Sequence, residues 1–347
     1  MKILVLAGGL SPERSVSLAS GHAVCTALRG LGHRSVVIDL FLGLDPMVAS
    51  TDAVFALPMA DGAAIDSTAP DLQAVRNCRQ FAGSGRIGAG VLAACARADL
   101  VFLALHGQDG EDGRVQAMLD LMEIPYTGSG YLASAMAMDK VISKKMMDTA
   151  GIPTPAWEQL VYTKADIPQL ASRLALPCVI KAANGGSSLG VYLPESREAL
   201  ASALEDVRRF NATVLMEQRI VGREFTVGVL GETALPPVEI LGNFDYEGKY
   251  QAHGAQEVCP AELTPEQSIL AGKYALQLHH ALGLSGYSRT DLMLDEDGKF
   301  WCLEVNSLPG MTAMSLLPKE AAAVGMGYEQ LCQEIVNQAM KKGDTAL

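Results

Sequence analysis

The residues with the clearest chemical potential lie in two apolar segments near the C-terminus. Segments 288–294 and 299–306 are joined by Asp295-Glu296-Asp297-Gly298, a turn sequence typical of a β-hairpin. Side chains alternate between the two faces of a strand. Alternation therefore predicts one face that carries four functional side chains: Arg289, Asp291, Glu304 and Asn306.

A tight turn predicts that Arg289 lies opposite Glu304 and that Asp291 lies opposite Cys302. Asp291 and Glu304 would then be diagonal neighbours, roughly 7–8 Å apart. Two carboxylates and the amide oxygen of Asn306 are ligands that Mg²⁺ prefers. An ordinary half-exposed hairpin would look similar, with an apolar opposite face formed by Leu292, Leu294, Leu303 and Val305.

A second candidate is Lys181 with the Gly-Ser-rich segment 184–190 that follows it. The segment is neither a Walker A loop nor a GxGxxG motif. Its backbone N–H groups suit phosphate oxygens, although a plain hairpin turn has the same composition. Glu217 and Glu224 are placed to hold an adenine amino group and a ribose, and exposed linker glutamates would look the same.

A third candidate is the loop Gly8–Arg14, which leaves the end of the first predicted strand. Ligands of α/β folds bind at such strand ends. Glu13 in this loop suits an amine, or it is an acid in the first turn of a helix.

The elements that carry these residues alternate between strands and helices. A strand over 3–6, a helix over 15–31 and a strand over 35–40 open a doubly wound α/β unit. Residues 41–97 form a peripheral elaboration with no assigned function, and a strand over 99–105 ends before His106. We predict three domains, over residues 1–131, 132–217 and 218–347.

Later elements are predicted from the same signals. The predicted helices cover residues 138–150, 198–210 and 265–282, and two more helices end the chain. The predicted strands cover 178–183, 191–193, 214–217, 224–230, 235–240, 288–294 and 299–306, with a polar loop to about residue 260.

Composition excludes several classes of protein. The 347 residues are 49% hydrophobic and carry a net charge of −12, with no long basic run. Nucleic acid and anionic membranes are therefore excluded as partners, whereas ATP accompanied by Mg²⁺ is not. Seven scattered cysteines without a CxxC pair, and no long apolar run, predict a cytoplasmic protein with free thiols.

Several motifs together resemble the D-alanine–D-alanine ligase family of the ATP-grasp superfamily. They cover almost the whole chain apart from residues 41–97, and they comprise residues 8–18, 106–113, 124–130, 138–140, 185–190, 245–250 and 303–312. The resemblance implies an α/β, three-domain ATP-grasp fold with a doubly wound N-terminal domain. ATP would bind as co-substrate, with Mg²⁺ or Mn²⁺, between the second and third domains.

The resemblance also implies roles for single residues around the nucleotide. Lys140 and Lys181 match phosphate-binding lysines, and Glu217 and Glu224 match the adenine and ribose ligands. The matching metal ligands are Asp291, Glu304 and Asn306.

Further roles concern the two substrates. Glu13, with His106 beside it, matches the residue that holds the ammonium of the first D-alanine, and Ser187 and Tyr250 match its hydrogen-bond partners. The oxyanion donors match Arg289 and the Gly310 N–H, and the second-substrate contacts match Lys249, Ser315 and Leu316.

The implied activity is the ATP-dependent joining of two D-alanine molecules by a homodimer. A D-alanine–D-serine ligase is the first alternative, and a D-lactate ligase or another ATP-grasp carboxylate–amine ligase follows. A nucleotide-binding regulatory protein without turnover predicts the loss of a metal ligand or of Arg289, and all are present. The segment 243–260 is expected to close over the site as a lid.

Overall fold

The computed structural model describes residues 1–58, 70–83, 85–185, 190–242 and 256–345, and the strands in these ranges form three sheets. The N-terminal sheet is parallel, in the order β2-β1-β3, with β1 Lys2–Ala7, β2 Arg34–Asp39 and β3 Leu100–Leu103. Helix α1 (Arg14–Gly30) connects β1 to β2. It packs closely on the sheet because Gly21 lacks a side chain: a Cβ there would lie 2.7 Å from the Ala7 Cβ.

Short helices lie in the described parts of the 41–97 stretch, and one more follows at 114–121. They are α2 Pro46–Ala49, a 3₁₀ turn Asp52–Ala56, α3 Leu72–Asn77, α4 Val91–Cys95 and α5 Arg114–Leu121. The chain then reaches the central module through two consecutive helices, α6 (Tyr131–Met138) and α7 (Lys140–Thr149). The helix that the sequence predicts over 138–150 corresponds to α7, and α6 is not predicted. Asp139 separates the two helices, because its carboxylate accepts the N–H groups of Val141 and Ile142 and so caps α7.

The central sheet is antiparallel, in the order β4-β7-β5-β6. Its strands are β4 Trp157–Val161, β5 Cys178–Ala182, β6 Val191–Tyr192 and β7 Thr213–Gln218, and its helices are α8 Ile167–Arg173 and α9 Arg197–Val207. Buried apolar side chains of α8 and α9 pack against β5 and β7, which leaves the strand ends to present polar groups.

The third sheet is also antiparallel, in the order β11-β10-β8-β12-β13, with β9 paired to β8. Its strands are β8 Gly222–Leu230, β9 Thr233–Ala234, β10 Val238–Leu241, β11 Gln256–Val258, β12 Tyr287–Asp295 and β13 Phe300–Asn306. The helices are α10 Pro265–Ala281, α11 Leu316–Ala323 and α12 Tyr328–Thr345. Strand β11 lies inside the segment that the sequence predicts to be a loop.

The register of the β12–β13 hairpin differs from the prediction. Asp291 lies directly opposite Glu304, and Arg289 lies opposite Asn306. The register shifts between Asp291 and Leu292, so that Leu292 pairs with Cys302 and Leu303 becomes the extra residue of a bulge. Cys302 is therefore fully buried in the core, whereas Leu303, a predicted core residue, is only half-buried.

Candidate active site

The hairpin brings the three predicted metal ligands and Arg289 onto one face. Asp291 and Glu304 are paired across the ladder, closer than the diagonal arrangement that the sequence predicts. Asn306 is two residues further along β13, and its side-chain oxygen accepts the N–H of Leu308 at 2.9 Å. Two carboxylates and an amide oxygen form a hard-oxygen set that fits Mg²⁺ or Mn²⁺. Within the described ranges, no three His, Cys, Asp or Glu side chains cluster to hold a metal, so the amide is needed to complete such a set.

Arg289 forms a two-pronged ion pair with Asp291. Its Nε and terminal nitrogen each lie 3.0 Å from an Asp291 carboxylate oxygen, and the Thr226 hydroxyl donates to the same carboxylate at 2.7 Å. Burial acts to lower the pKa of Arg289, but Asp291 and nearby Glu320 outweigh it and the pKa is raised. The guanidinium is therefore a fixed positive charge beside the predicted metal site.

A buried cluster of two lysines and one glutamate lies between the central sheet and the hairpin. The Glu217 carboxylate is 1% exposed, and it forms ion pairs with Lys144 and, at 2.5 Å, with Lys181. Lys144 also contacts the Cys302 carbonyl oxygen at 3.4 Å, which ties the cluster to β13. Burial acts to raise the pKa of Glu217, but the two lysines outweigh it and the pKa is lowered.

Lys140 connects the phosphate-binding candidates to the metal candidates. Its Nζ lies 3.2 Å from a Glu304 oxygen and donates to the Gly185 carbonyl at 2.7 Å. Burial acts to lower the pKa of Lys181, but Glu217 and then Glu304 outweigh it and the pKa is raised. Glu224 is half-buried on β8, opposite Met293 of β12. The structure thus brings Lys140 into contact with Glu304 of the hairpin and places Glu224 on the neighbouring strand β8.

The N-terminal module contributes a second part of the site from two loops, 8–14 and 106–113. His106 is buried, and its Nε2 lies 3.3 Å from the Ser20 hydroxyl, which also accepts the N–H of Met311 at 3.3 Å. The loop after β13 is thereby joined to α1. Burial lowers the pKa of His106, so the imidazole is neutral at neutral pH.

Glu13 and Glu111 place two carboxyl groups side by side near His106. Glu111 accepts the N–H of Gly107 at 2.6 Å, and burial together with the Glu13 carboxylate raises its pKa to about 8. A pKa of about 8 means that Glu111 is mostly protonated at neutral pH, so it adds little negative charge beside Glu13. The sequence does not single out Glu111, although it belongs to the quoted motif 106–113.

The segment after β13 leads into α11 and holds the remaining described candidates. The Ser315 hydroxyl accepts the N–H of Thr312 at 3.1 Å, and a Cβ built on Gly310 would lie only 2.9 Å from that hydroxyl oxygen. Leu316 is the first residue of α11 and is buried. The turn thus brings the Gly310 backbone close to Ser315.

Some predicted residues lie outside the described residues. These are Ser187, Lys249 and Tyr250, together with most of the expected lid. Other residues of the site were missed by the sequence reasoning, above all Lys144, Ser20 and Glu111. Lys144 carries no motif of its own, and its contact with Glu217 depends on the packing of α7 against β7.

Comparisons with known proteins agree with this architecture. Residues 2–129 match the family model described as the D-ala D-ala ligase N-terminus, and residues 146–337 match the D-ala D-ala ligase C-terminus. The chain is 42% identical over 342 residues to the D-alanine–D-alanine ligase of Pediococcus pentosaceus, with 97% of each chain covered. It is 40% identical to that of Lacticaseibacillus casei, with 98% and 96% covered.

Solved structures give the same result. The D-alanine–D-alanine ligase of Bacillus anthracis is 31% identical with a TM-score of 0.74, and all of both chains is covered. The complex of that ligase with ATP is 30% identical with a TM-score of 0.73, and 99% of each chain is covered. The N-terminal match includes residues 41–97.

The sheets and the site between them define an ATP-grasp protein with an α/β N-terminal domain, as predicted. The family matches then go further, because they cover both halves of the chain. The protein belongs to the D-alanine–D-alanine ligase family. No helix in the described part of the chain is long and apolar enough to cross a membrane.

Proposed function

We propose that the protein joins two D-alanine molecules to D-alanyl-D-alanine with ATP as the energy source, for the synthesis of peptidoglycan precursors. The observation that carries the proposal is the contact of Lys140 with Glu304 at 3.2 Å. It joins a predicted phosphate ligand to a predicted metal ligand in one site. Relatives named for this activity align over nearly the whole chain.

The first step has to overcome the low reactivity of a carboxylate. The carboxylate oxygen of the first D-alanine attacks the γ-phosphorus of ATP, the bond to ADP breaks, and an acyl phosphate forms. Lys140 and Lys181 supply positive charge to the phosphate oxygens. Asp291, Glu304 and Asn306 would hold Mg²⁺ or Mn²⁺, which neutralises charge on the β- and γ-phosphates when bound.

The second step forms the amide bond. The ammonium of the second D-alanine loses a proton to solvent, and its nitrogen attacks the acyl carbon. The carbon–oxygen bond to phosphate then breaks, and the nitrogen gives up a second proton, which leaves with the phosphate. The tetrahedral intermediate carries negative charge on oxygen. Arg289 and the Gly310 N–H are proposed to stabilise that charge, and the loss of one such donor typically costs about 10²–10³ in rate.

The two D-alanine molecules are proposed to be held by residues from the N-terminal and C-terminal parts of the chain. Glu13 holds the ammonium of the first D-alanine, with neutral His106 beside it, and Ser187 and Tyr250 bond to Glu13 when the site closes. We propose a second pocket for the carboxylate and methyl group of the other D-alanine, formed by Lys249, Ser315 and Leu316. Glu217 and Glu224 are proposed to hold the adenine and the ribose.

D-serine is the hardest competitor to exclude as second substrate, because an apolar pocket rejects an added hydroxyl only weakly, by about 10². We expect D-alanyl-D-alanine to be the main product when D-alanine, D-serine and D-lactate are present in equal amounts. Coupled ADP detection with mass analysis of the products measures this. A majority of D-alanyl-D-serine or of D-alanyl-D-lactate contradicts the proposal.

We further propose a cytoplasmic homodimer. ATP and free thiols both belong to that compartment, and the seven cysteines are unpaired, five of them buried. Two-fold dimers are the commonest soluble oligomers.

A further inference from the structure

Arg86 lies in the glycine-rich stretch 81–90, to which the sequence assigns no function. Its Nε forms an ion pair with the carboxylate of Asp109, and its terminal nitrogen donates to the Leu10 carbonyl oxygen at 2.9 Å. Asp109 belongs to the loop 106–113, and Leu10 belongs to the loop 8–14. One guanidinium group therefore connects the two loops that carry His106 and Glu13.

The two loops already touch near the proposed ammonium site. Gly107 has a φ of +69°, and a Cβ built there would lie 2.6 Å from the Ser11 Oγ and 2.8 Å from a Glu13 carboxylate oxygen. Even one added carbon atom does not fit between the loops. The loops are therefore in close contact at this point, and a displacement of one loop would move Glu13 relative to His106.

Asp109 depends on its cationic partners. It has a φ of +75°, a conformation that residues other than glycine rarely adopt, and its side chain is 6% exposed. Arg114 also approaches this carboxylate, but at 3.7 Å and with 60% of its own side chain exposed. Without Arg86, this distant and exposed arginine would be the only cationic partner of the buried carboxylate among the residues that the structure describes.

The backbone that carries Arg86 is itself anchored to the N-terminal sheet. The Gly88 N–H donates to the Leu40 carbonyl at 2.7 Å, and the Leu44 N–H donates to the Ala89 carbonyl at 2.9 Å. Leu40 directly follows β2. The guanidinium therefore projects from a fixed support and can hold the two loops in place.

We propose that Arg86 is a positioning residue that holds the loops 8–14 and 106–113 in the arrangement needed to bind the first D-alanine. The inference rests on the proposed assignment of Glu13 and His106 to that substrate. It gives part of the 41–97 stretch a role in the site.

The test compares Arg86→Met with Arg79→Met. Arg79 is the matched control because it lies in the same stretch but donates to the Phe41 carbonyl at 2.9 Å and stacks on the Phe41 ring. We expect Arg86→Met to raise a Michaelis constant for D-alanine at least about tenfold, because small misplacements of binding groups are costly. The constant for ATP should change less than about twofold. Arg86→Lys should give an intermediate effect, since one ammonium cannot reproduce the fixed fork of a guanidinium.

A second measurement does not depend on activity. Hydrogen exchange of peptides covering 8–14 and 106–113 should be faster in Arg86→Met than in the wild type, and unchanged in Arg79→Met. Unchanged exchange in both loops, or D-alanine constants within about twofold of wild type, overturns the inference. Glu13→Gln tests the underlying assignment separately. Normal D-alanine constants in that variant reject the role of Glu13, while the exchange data still decide the role of Arg86.

Discussion

Glu304 shows how single charges are balanced at the centre of the site. Its carboxylate faces Asp291 across the hairpin, and two adjacent anions repel each other. Lys140 lies 3.2 Å from Glu304, and Arg289 pairs with Asp291 at 3.0 Å. Each carboxylate thus has its own cation, and both cations are proposed to act on phosphate or oxyanion oxygens in the reaction.

We expect Glu304→Gln to weaken the apparent Mg²⁺ affinity at least about tenfold and to reduce turnover sharply, because one anionic ligand is lost at nearly constant volume. The fold should be retained, since Glu304 lies outside the apolar core. Mg²⁺ titration of ADP formation measures the effect. Glu296→Gln, the same change in the exposed turn of the same hairpin, is the control. Near-normal activity of Glu304→Gln at limiting Mg²⁺ would show that the metal assignment is wrong.

The sequence predicts the chemistry of this face better than its geometry. Alternation places Arg289, Asp291, Glu304 and Asn306 together, and the structure agrees. The predicted pairing fails at two points: the turn already shifts it by one residue, since Leu292 pairs with Cys302, and the bulge at Leu303 shifts it by one more. An extra residue in one strand leaves no mark in an alternating apolar pattern. The residue types therefore predict which side chains share a face of the hairpin, whereas the cross-strand pairs depend on the backbone structure.

At the scale of elements, the local sequence is sufficient to predict a helix start where that start has its own capping residues. Thr264 and Gln267 form a reciprocal capping box ahead of α10, as the sequence Thr-Pro-Glu-Gln indicates. The predicted start of the next helix, near residue 138, lies within two residues of the start of α7, whereas α6, which ends at Met138, is not predicted. The Asp139 cap starts α7 at Lys140, whose Nζ lies 3.2 Å from a Glu304 oxygen of the hairpin.

Helix α10 is attached to β12 by a buried histidine. The Nδ1 of His279 lies 2.7 Å from the Ser288 hydroxyl, and the His279 side chain is almost fully buried. Burial lowers its pKa from 6.5 to about 4. The unfolded chain therefore binds more protons than the folded chain between these two values. Stability from neutral His279 is complete above the unfolded pKa and is lost as the pH falls toward the folded pKa.

We expect the free energy of unfolding to fall more steeply for the wild type than for His279→Gln between about pH 6.5 and pH 4, by up to roughly 3 kcal/mol. Urea unfolding at several pH values measures the two slopes. His280→Gln, at the exposed side of the same turn, controls for the loss of a histidine. Parallel curves for the wild type and His279→Gln would contradict a buried, neutral imidazole.

At the scale of the whole molecule, the two ends of the chain share one core. Leu331 and Ile335 of α12 are fully buried with Leu28 of α1, and His33 bonds to Gln333 at 2.9 Å. The apolar pattern predicts a C-terminal helix but not its partner, because contacts so distant along the chain depend on how the modules pack. The packing of the C-terminal helix against α1 also brings the loop after β13 close to Ser20 and His106, and this contact completes the site.

The proposed homodimer has a specific salt dependence. Each chain carries a net charge of −12, so long-range repulsion opposes the approach of two copies and salt screens it. Exposed apolar side chains such as Leu121 (89%) and Leu132 (60%) are available to favour association by burial. We expect sedimentation equilibrium to give about twice the chain mass of 36.7 kDa, with tighter association at about 0.5 M salt than at low salt. A concentration-independent mass near 36.7 kDa at both salt concentrations would show that the protein is a monomer.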